Sequence, residues 1–218
     1  MANKYQHLVT SEGRLSRNNI FVIDKERKDA KTGKRFGNDK YGIDLMFSKA
    51  EHPRGPQDII EACRACLAEH GITGAAQSPH LLARIKDGDK QLAKIAPEKQ
   101  ANYAALKGMW IIRANTKDDL VAEARVANAQ AQPVDARATS MIFSGTYGRA
   151  ALSITFMADL KEPGLVFYLQ GYQFTRTGAK LPFGEPGGGK RTTAQMFGGT
   201  SGGASDQAPA DLDNEDPF

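Results

Sequence analysis

Two long runs of alternating polarity constrain the fold more than any other feature of this chain. Between Gly145 and Ala158, Ala150, Leu152, Ile154 and Phe156 fall on one side of an extended backbone, and Tyr147, Arg149, Ser153 and Thr155 on the other. From Leu165 to Arg176 the pattern resumes, with Leu165, Phe167 and Leu169 facing one way and Tyr168, Tyr172, Phe174 and Arg176 the other. The stretch Lys161-Glu162-Pro163-Gly164 supplies turn chemistry between them. A period of two sustained this long is not helical, so the two runs predict an antiparallel hairpin with one buried face.

Further strands are expected over residues 7–23, ending in Ile20, Phe21, Val22 and Ile23, over Tyr41–Phe47 and over Met109–Asn115. One clear helix is expected after Pro56, with Asp58 at its positive end, Gly71 as its stop, and Ile59, Cys63, Cys66 and Leu67 on one face. A weaker helical stretch runs from Pro97 to Leu106. Five or six strands interrupted by a helical region predict a mainly β fold: a Greek-key barrel of the OB type with inserted helices.

Where this domain ends is set by composition. Eight of the twenty residues from Gly184 to Gly203 are glycine, and few large apolar side chains follow. Such a segment buries too little surface to offset its ordering entropy. Residues 1–183 are therefore expected to form the barrel and 184–218 a flexible, disordered tail. The longest hydrophobic run is Leu165–Leu169, far short of the ~18 residues of a membrane helix. The opening MANKYQHLVTSEGR has no apolar stretch of the secretory kind, and two cysteines do not staple a chain of 218 residues. The expected setting is cytoplasmic and reduced, with no membrane contact.

Charge is distributed unevenly. Residues 1–191 carry 29 basic and 20 acidic groups, whereas the last 27 residues carry five carboxylates and no lysine or arginine. A basic body suits a polyanion, and an acidic tail suits something basic. Lys25, Arg27, Lys28, Lys31, Lys34, Arg35 and Lys40 crowd one loop, interleaved with Phe36 and Tyr41, and Gly33 and Gly37 permit a long hairpin there. In an OB barrel the connection between the first two strands flanks the nucleic-acid groove. Lys31, Lys34, Arg35, Phe36 and Tyr41 are thus candidate contacts to phosphates and bases. The outward residues of the last two strands, Tyr147, Arg149, Tyr168, Tyr172 and Arg176, form a second aromatic and basic set suited to stacking on single-stranded bases.

Three other patterns point to enzymes and are incomplete. Cys63-Arg-Ala-Cys66 has the spacing of half a zinc site, with His70 and His80 nearest, but no second close pair exists and both sulfurs fall on the buried helix face. Gly184–Lys190 matches most of a phosphate-binding loop, yet Arg191 stands where a magnesium-binding Ser or Thr belongs. The four histidines lie scattered, and no nucleophile or metalloprotease motif accompanies them. The expectation is a binding protein, not an enzyme, with no metal and no cofactor.

Taken in order, several segments resemble the phage-type single-stranded DNA-binding proteins with an OB-fold. They are IKDGD at Ile85–Asp89, YAALKGMWIIRANT at Tyr103–Thr116, IFSGTYGRAALSITF at Ile142–Phe156 and GLVFYLQGYQFTRTGAKLPFG at Gly164–Gly184. The terminus DNEDPF is similar to the acidic tips of single-stranded DNA-binding proteins generally. The resemblance covers most of residues 80–184. It implies a non-enzymatic protein that coats single strands during phage replication or recombination. By motif position it implies roles in DNA binding for Arg113, Tyr147 and Arg149. It also implies a partner-binding tip at Asp213, Glu215, Asp216, Pro217 and Phe218 that recruits replication or recombination proteins. Weak duplex binding, as in a strand-annealing recombination mediator, and self-association are left open.

Overall fold

The computed structural model describes residues 5–24, 39–135, 140–159 and 163–183, with the backbone of Arg27–Lys28 and Arg35–Phe36 between the first two of these. In chain order the strands are β1 (Gln6–Val9), β2 (Gly13–Asp24), β3 (Arg27–Lys28), β4 (Arg35–Phe36) and β5 (Lys40–Ser48). Then follow α1 (Gln57–Glu69), α2 (Ser78–Arg84), β6 (Lys86–Asp87), α3 (Gly88–Leu92) and α4 (Pro97–Gln100). The chain closes with β7 (Met109–Thr116), β8 (Val126–Ala127), β9 (Tyr147–Met157) and β10 (Gly164–Arg176).

Five of these strands form a closed path. β2 pairs with β5, β5 with β7, β7 with β10, β10 with β9, and β9 returns to β2 through Gly13–Gly148 and Arg14–Tyr147. All pairings on the path are antiparallel except β7–β10, which is parallel. This is the Greek-key barrel expected of an OB fold. β1 extends the far edge of β9, β8 joins β10, and the short β3–β4 pair stands apart within the basic loop. Among the described residues no helix is long and apolar enough to cross a membrane.

The alternating residues fill the barrel because inward positions on facing strands meet. Leu15, Ile43, Leu45, Phe47, Ile112, Leu152, Ile154, Leu165 and Phe167 are all at most 3% exposed and belong to one core. The expected hairpin is β9–β10, in register from Met157–Gly164 to Tyr147–Arg176. It is not straight, however. An extra residue at Gln170 shifts the pairing between Leu169 and Gly171, and a second shift follows between Phe174 and Arg176. Each bulge exchanges the two faces of the strand. Simple alternation put Tyr168, Tyr172, Phe174 and Arg176 together; the bulges instead send Tyr172 and Phe174 inward, at 2% and 8% exposure. Tyr172 is a core residue, which corrects its assignment to an outward binding face. Its ring lies on Gly148, where a Cβ would stand 2.3 Å from the phenol oxygen, so only glycine fits opposite it.

The whole stretch between β5 and β7 is one inserted arm. α1 buries Ile59, Ile60, Cys63, Cys66 and Leu67, packs on β1 and β9, and extends the barrel core. The expected second helix is present as α4, continuing into a 3-10 turn from Ala101 to Leu106. α2, α3 and β6 lie between them. β6 pairs with β7 at Lys86–Ile111 and Asp87–Trp110, which fastens the arm to the barrel. Lys49 completes the fastening. Its ammonium sits 2.6 Å from carboxylate oxygens of both Asp87 and Asp89 and 4.7 Å from the centre of the Trp110 ring. Asp87 also caps α3 by accepting from the Asp89 and Lys90 amides.

A second, smaller apolar cluster forms where the arm and the segment after β10 close over the outer face of β5 and β7. Met46, Leu106 and Leu181 are its buried centre, with Ile95, Tyr103, Met109, Ile111 and Phe183 around them.

Candidate functional site

Arg17 of β2, Asp44 of β5, and Ile111 and Arg113 of β7 line one groove together with residues of the arm. Register places Arg17 beside Asp44 and Asp44 beside Arg113, so three strands deliver one charged row across the outer surface. Asp44 is buried at 7% exposure and is held from both sides. Arg17 Nε donates to its Oδ1 at 2.9 Å, and Arg113 donates to both oxygens at 2.8 and 2.6 Å. A two-point guanidinium–carboxylate pair fixes the plane of the arginine as well as its position. Hydrogen bonding to Asp44 raises the pKa of Arg113 against the opposing effect of burial. Arg17 reaches further, donating to Asn115 Oδ1 at 2.8 Å. That path crosses Gly42, where a Cβ would stand 2.4 Å from the Asn115 oxygen and 2.9 Å from the Arg17 guanidinium. The glycine is what lets the row pass.

This row floors a groove of about 400 Å³ between barrel and arm. Arg17, Arg113, Lys86 and Lys94 border it against the single carboxylate of Asp44, and Ile95, Ile111 and Leu106 provide apolar wall. Two rings stand at its edge. Tyr103 and Phe183 stack with centroids 4.9 Å apart and planes 26° from parallel. Phe183 is anchored through its carbonyl, which accepts from Ser144 Oγ at 2.9 Å, and the Leu181 amide donates to the Ser144 carbonyl at the same distance. The Arg113 side chain remains 60% exposed despite its ion pair, so one face of the fork is open to a ligand.

The candidates read from sequence divide between this groove and other places. Arg113 lies in it. Tyr41 shares its strand face with the core-facing Ile43 and directs its hydroxyl to Asp119 at 3.3 Å, so it stands away from the groove. Tyr147, Arg149 and Arg176 cluster at the outer ends of β9 and β10. There the Arg176 guanidinium lies 3.5 Å from the Tyr147 ring centre, with Arg14 at 6.0 Å on the same ring. Arg176 is bound to Glu12, at 2.9 Å from Nε to Oε1. Burial opposes ionisation of Glu12, but hydrogen bonds from Thr175 and Arg176 outweigh it and hold the carboxyl below its ordinary range. Tyr168 faces outward elsewhere on β10, edge-on to Tyr5 with ring centres 6.3 Å apart. For Arg35 and Phe36 only the backbone of β4 is described, and Lys31, Lys34 and the tail residues Asp213–Phe218 lie outside the described residues.

Arg17, Lys86, Lys94, Tyr103 and Phe183 were not singled out by sequence reasoning. Lys86, Tyr103 and Phe183 stand inside segments that carry the family resemblance, but no residue pattern marks them as neighbours. The two cysteines lie on the buried face of α1, as their spacing indicates, and burial pushes the Cys63 thiol up to about 12. Among the described residues no group of three or more His, Cys, Asp or Glu side chains is placed to hold a metal ion. The glycine-rich segment Gly184–Lys190 lies outside them.

Comparison with known proteins bears on the fold. No protein-family model matches the sequence, and a search of curated proteins finds no match. Among solved structures, the single-stranded DNA-binding protein from bacteriophage Enc34 superposes with a TM-score of 0.57 at 18% identity, over 88% of this chain and 90% of that one. The same phage protein in complex with single-stranded DNA gives 0.57 at 19% identity, over 80% and 89%. Gp2.5, a single-stranded DNA-binding protein encoded by bacteriophage T7, gives 0.47 at 12% identity, over 94% and 100%. At this level of identity the Enc34 likeness establishes a shared fold along nearly the whole length of both chains.

Proposed function

We propose that this chain is a single-stranded DNA-binding protein that acts without sequence preference and catalyses no reaction. The observation that carries this reading is the groove across β2, β5 and β7. It sets four cations and two stacked rings around an apolar wall on the face that OB barrels use for oligonucleotides. Cations supply phosphate contacts that are blind to sequence, and ring faces stack on any base. The fold it shares with the Enc34 protein, which was solved with single-stranded DNA bound, supports the same ligand. The basic loop around Lys31, Lys34 and Arg35 and the Tyr147–Arg149–Arg176 cluster serve as flanking contacts. In this reading the protein coats exposed strands during phage replication or recombination in the host cytoplasm. The acidic terminus at Asp213–Phe218 recruits the proteins that act on those strands.

Titration of labelled single- and double-stranded oligonucleotides across a salt series tests it. Engagement of about four to six phosphates gives a log–log salt slope of roughly −3 to −4 for single strands. Homopolymers should differ only as their stacking differs. Affinity indifferent to salt, or a preference for duplex, overturns the reading.

A further inference from the structure

The groove does not end at the arm. Lys86, Gln91 and Lys94, which border it, also border a second hollow of about 400 Å³ that reaches Lys90 of α3. That hollow shares Leu82, Ile85 and Trp110 with a third, of about 220 Å³, which is flanked by Arg54 and Arg64. Through these shared side chains the three adjoin one another as a trough, from Arg113 on the barrel to residues of α1 and α2.

Seven cations line it against two carboxylates, Asp44 and Asp87. Lys90, Arg54 and Arg64 follow Lys86 and Lys94 along the trough, and all five are exposed. Among the described residues none of the five has a carboxylate within ion-pair distance. Asp87, which lines the second hollow, and its neighbour Asp89 are both taken by Lys49 at 2.6 Å. Its floor is apolar. Leu82 is 68% exposed, a costly position for a leucine that meets only water, and it lies beside the half-buried Trp110 ring. An apolar floor between unpaired cations suits a single strand, whose bases seek cover while its phosphates seek charge.

We propose that this trough is a second track for single-stranded DNA, so that the inserted arm lengthens the bound strand beyond the barrel. The inference rests on the DNA-binding reading and extends it from one groove to a path. Bases on the track lie against Leu82 and Trp110, and phosphates meet Lys90, Arg54 and Arg64.

Length dependence tests it in the full chain. Oligothymidylates of about 5 and about 16 nucleotides, the two ends of OB-fold site sizes, serve as probes. Trp110 is the only tryptophan of the chain and reports directly from the trough. The longer probe should bind more tightly, with a steeper salt slope, and should quench Trp110; the shorter should bind the barrel groove and leave its emission unchanged. Combining Lys90→Glu with Arg64→Glu should weaken the longer probe about tenfold or more and flatten its slope by about 1.4, at roughly 0.7 per lost contact. The shorter probe should keep its affinity. The milder pair Lys90→Gln and Arg64→Gln should fall between, and thermal melting checks that both variants fold. If the wild type binds both probes equally, or the reversal affects both lengths alike or neither, the track is overturned while the barrel reading stands. If the wild type binds neither probe, the DNA-binding reading itself fails.

Discussion

Tyrosine plays two distinct parts in this molecule, and a single bulge decides which. Tyr168 and Tyr172 lie four residues apart on β10, yet Tyr172 is buried against Gly148 and Tyr168 faces outward, because Gln170 adds a residue between them. Tyr103 lies outside the sheet and comes to the groove on a 3-10 turn, stacked on Phe183. Replacing Tyr103 by Ala should cost roughly 1–3 kcal/mol of single-strand binding and leave the melting temperature close to that of the wild type. Replacing Tyr172 by Ala opens a cavity in the barrel and should cost about 3–5 kcal/mol of stability, the range for a buried ring. The fraction of Tyr172→Ala that stays folded should bind DNA normally. Binding isotherms and thermal melts on the same preparations separate the two effects.

The arm is the element that turns a plain barrel face into a groove, and Lys49 is its fastening. Hydrogen bonding to Lys49 holds the Asp87 and Asp89 carboxyls below their ordinary range, although burial opposes this in part. The Lys49 ammonium is raised in turn, since both carboxylates outweigh the effect of its own desolvation. A carboxyl depressed in the folded state contributes stability that is complete above its unfolded pKa, near 3.9, and is lost as pH falls through the folded value. A raised lysine contributes stability below its unfolded value, near 10.4, that is lost at still higher pH. The fastening is therefore at full strength between about pH 4 and 10 and fails at the acid end by protonation of the two aspartates. Lys49→Met removes the lysine's share of this dependence, leaving that of the backbone amides on Asp87 and Asp89. Its melting temperature should be lower than that of the wild type at neutral pH, and the difference should shrink as the pH is taken below about 4. Equal differences at pH 7 and pH 3 contradict the role given to Lys49.

Charge in the chain as a whole is segregated: the body carries the basic surplus, and the residues after Arg191 carry only carboxylates. In the proposed function the tail is a tethered polyanion that competes with DNA phosphates for the same cations. Tethering through a glycine-rich segment gives effective concentrations on the order of millimolar in that reading. Deleting residues 206–218 should tighten single-strand binding, most at low salt, where screening is weakest. Deleting Phe218 alone should leave DNA affinity nearly unchanged and abolish capture of replication or recombination proteins. A truncated chain that binds no more tightly at low salt would show that the carboxylates do not compete.

Local pattern was enough to foretell the five strands of the barrel path, the α1 helix and the class of fold. Alternation at Gly145–Ala158 and Leu165–Arg176, and the Ile59, Cys63, Cys66 and Leu67 spacing, each report burial within one element, and burial is written in consecutive residues. Arg113 was legible only through the motif that carries the family resemblance. The rest of the groove was not. Arg17, Lys86, Tyr103 and Phe183 come from four separate stretches of chain and meet only because β6 pairs with β7 and Ser144 anchors the end of the segment after β10. No period links residues that distant. Tyr172 shows the limit even within one strand. A bulge reverses every later side chain, and its cause is pairing with β9, which no run of residues on β10 alone reveals.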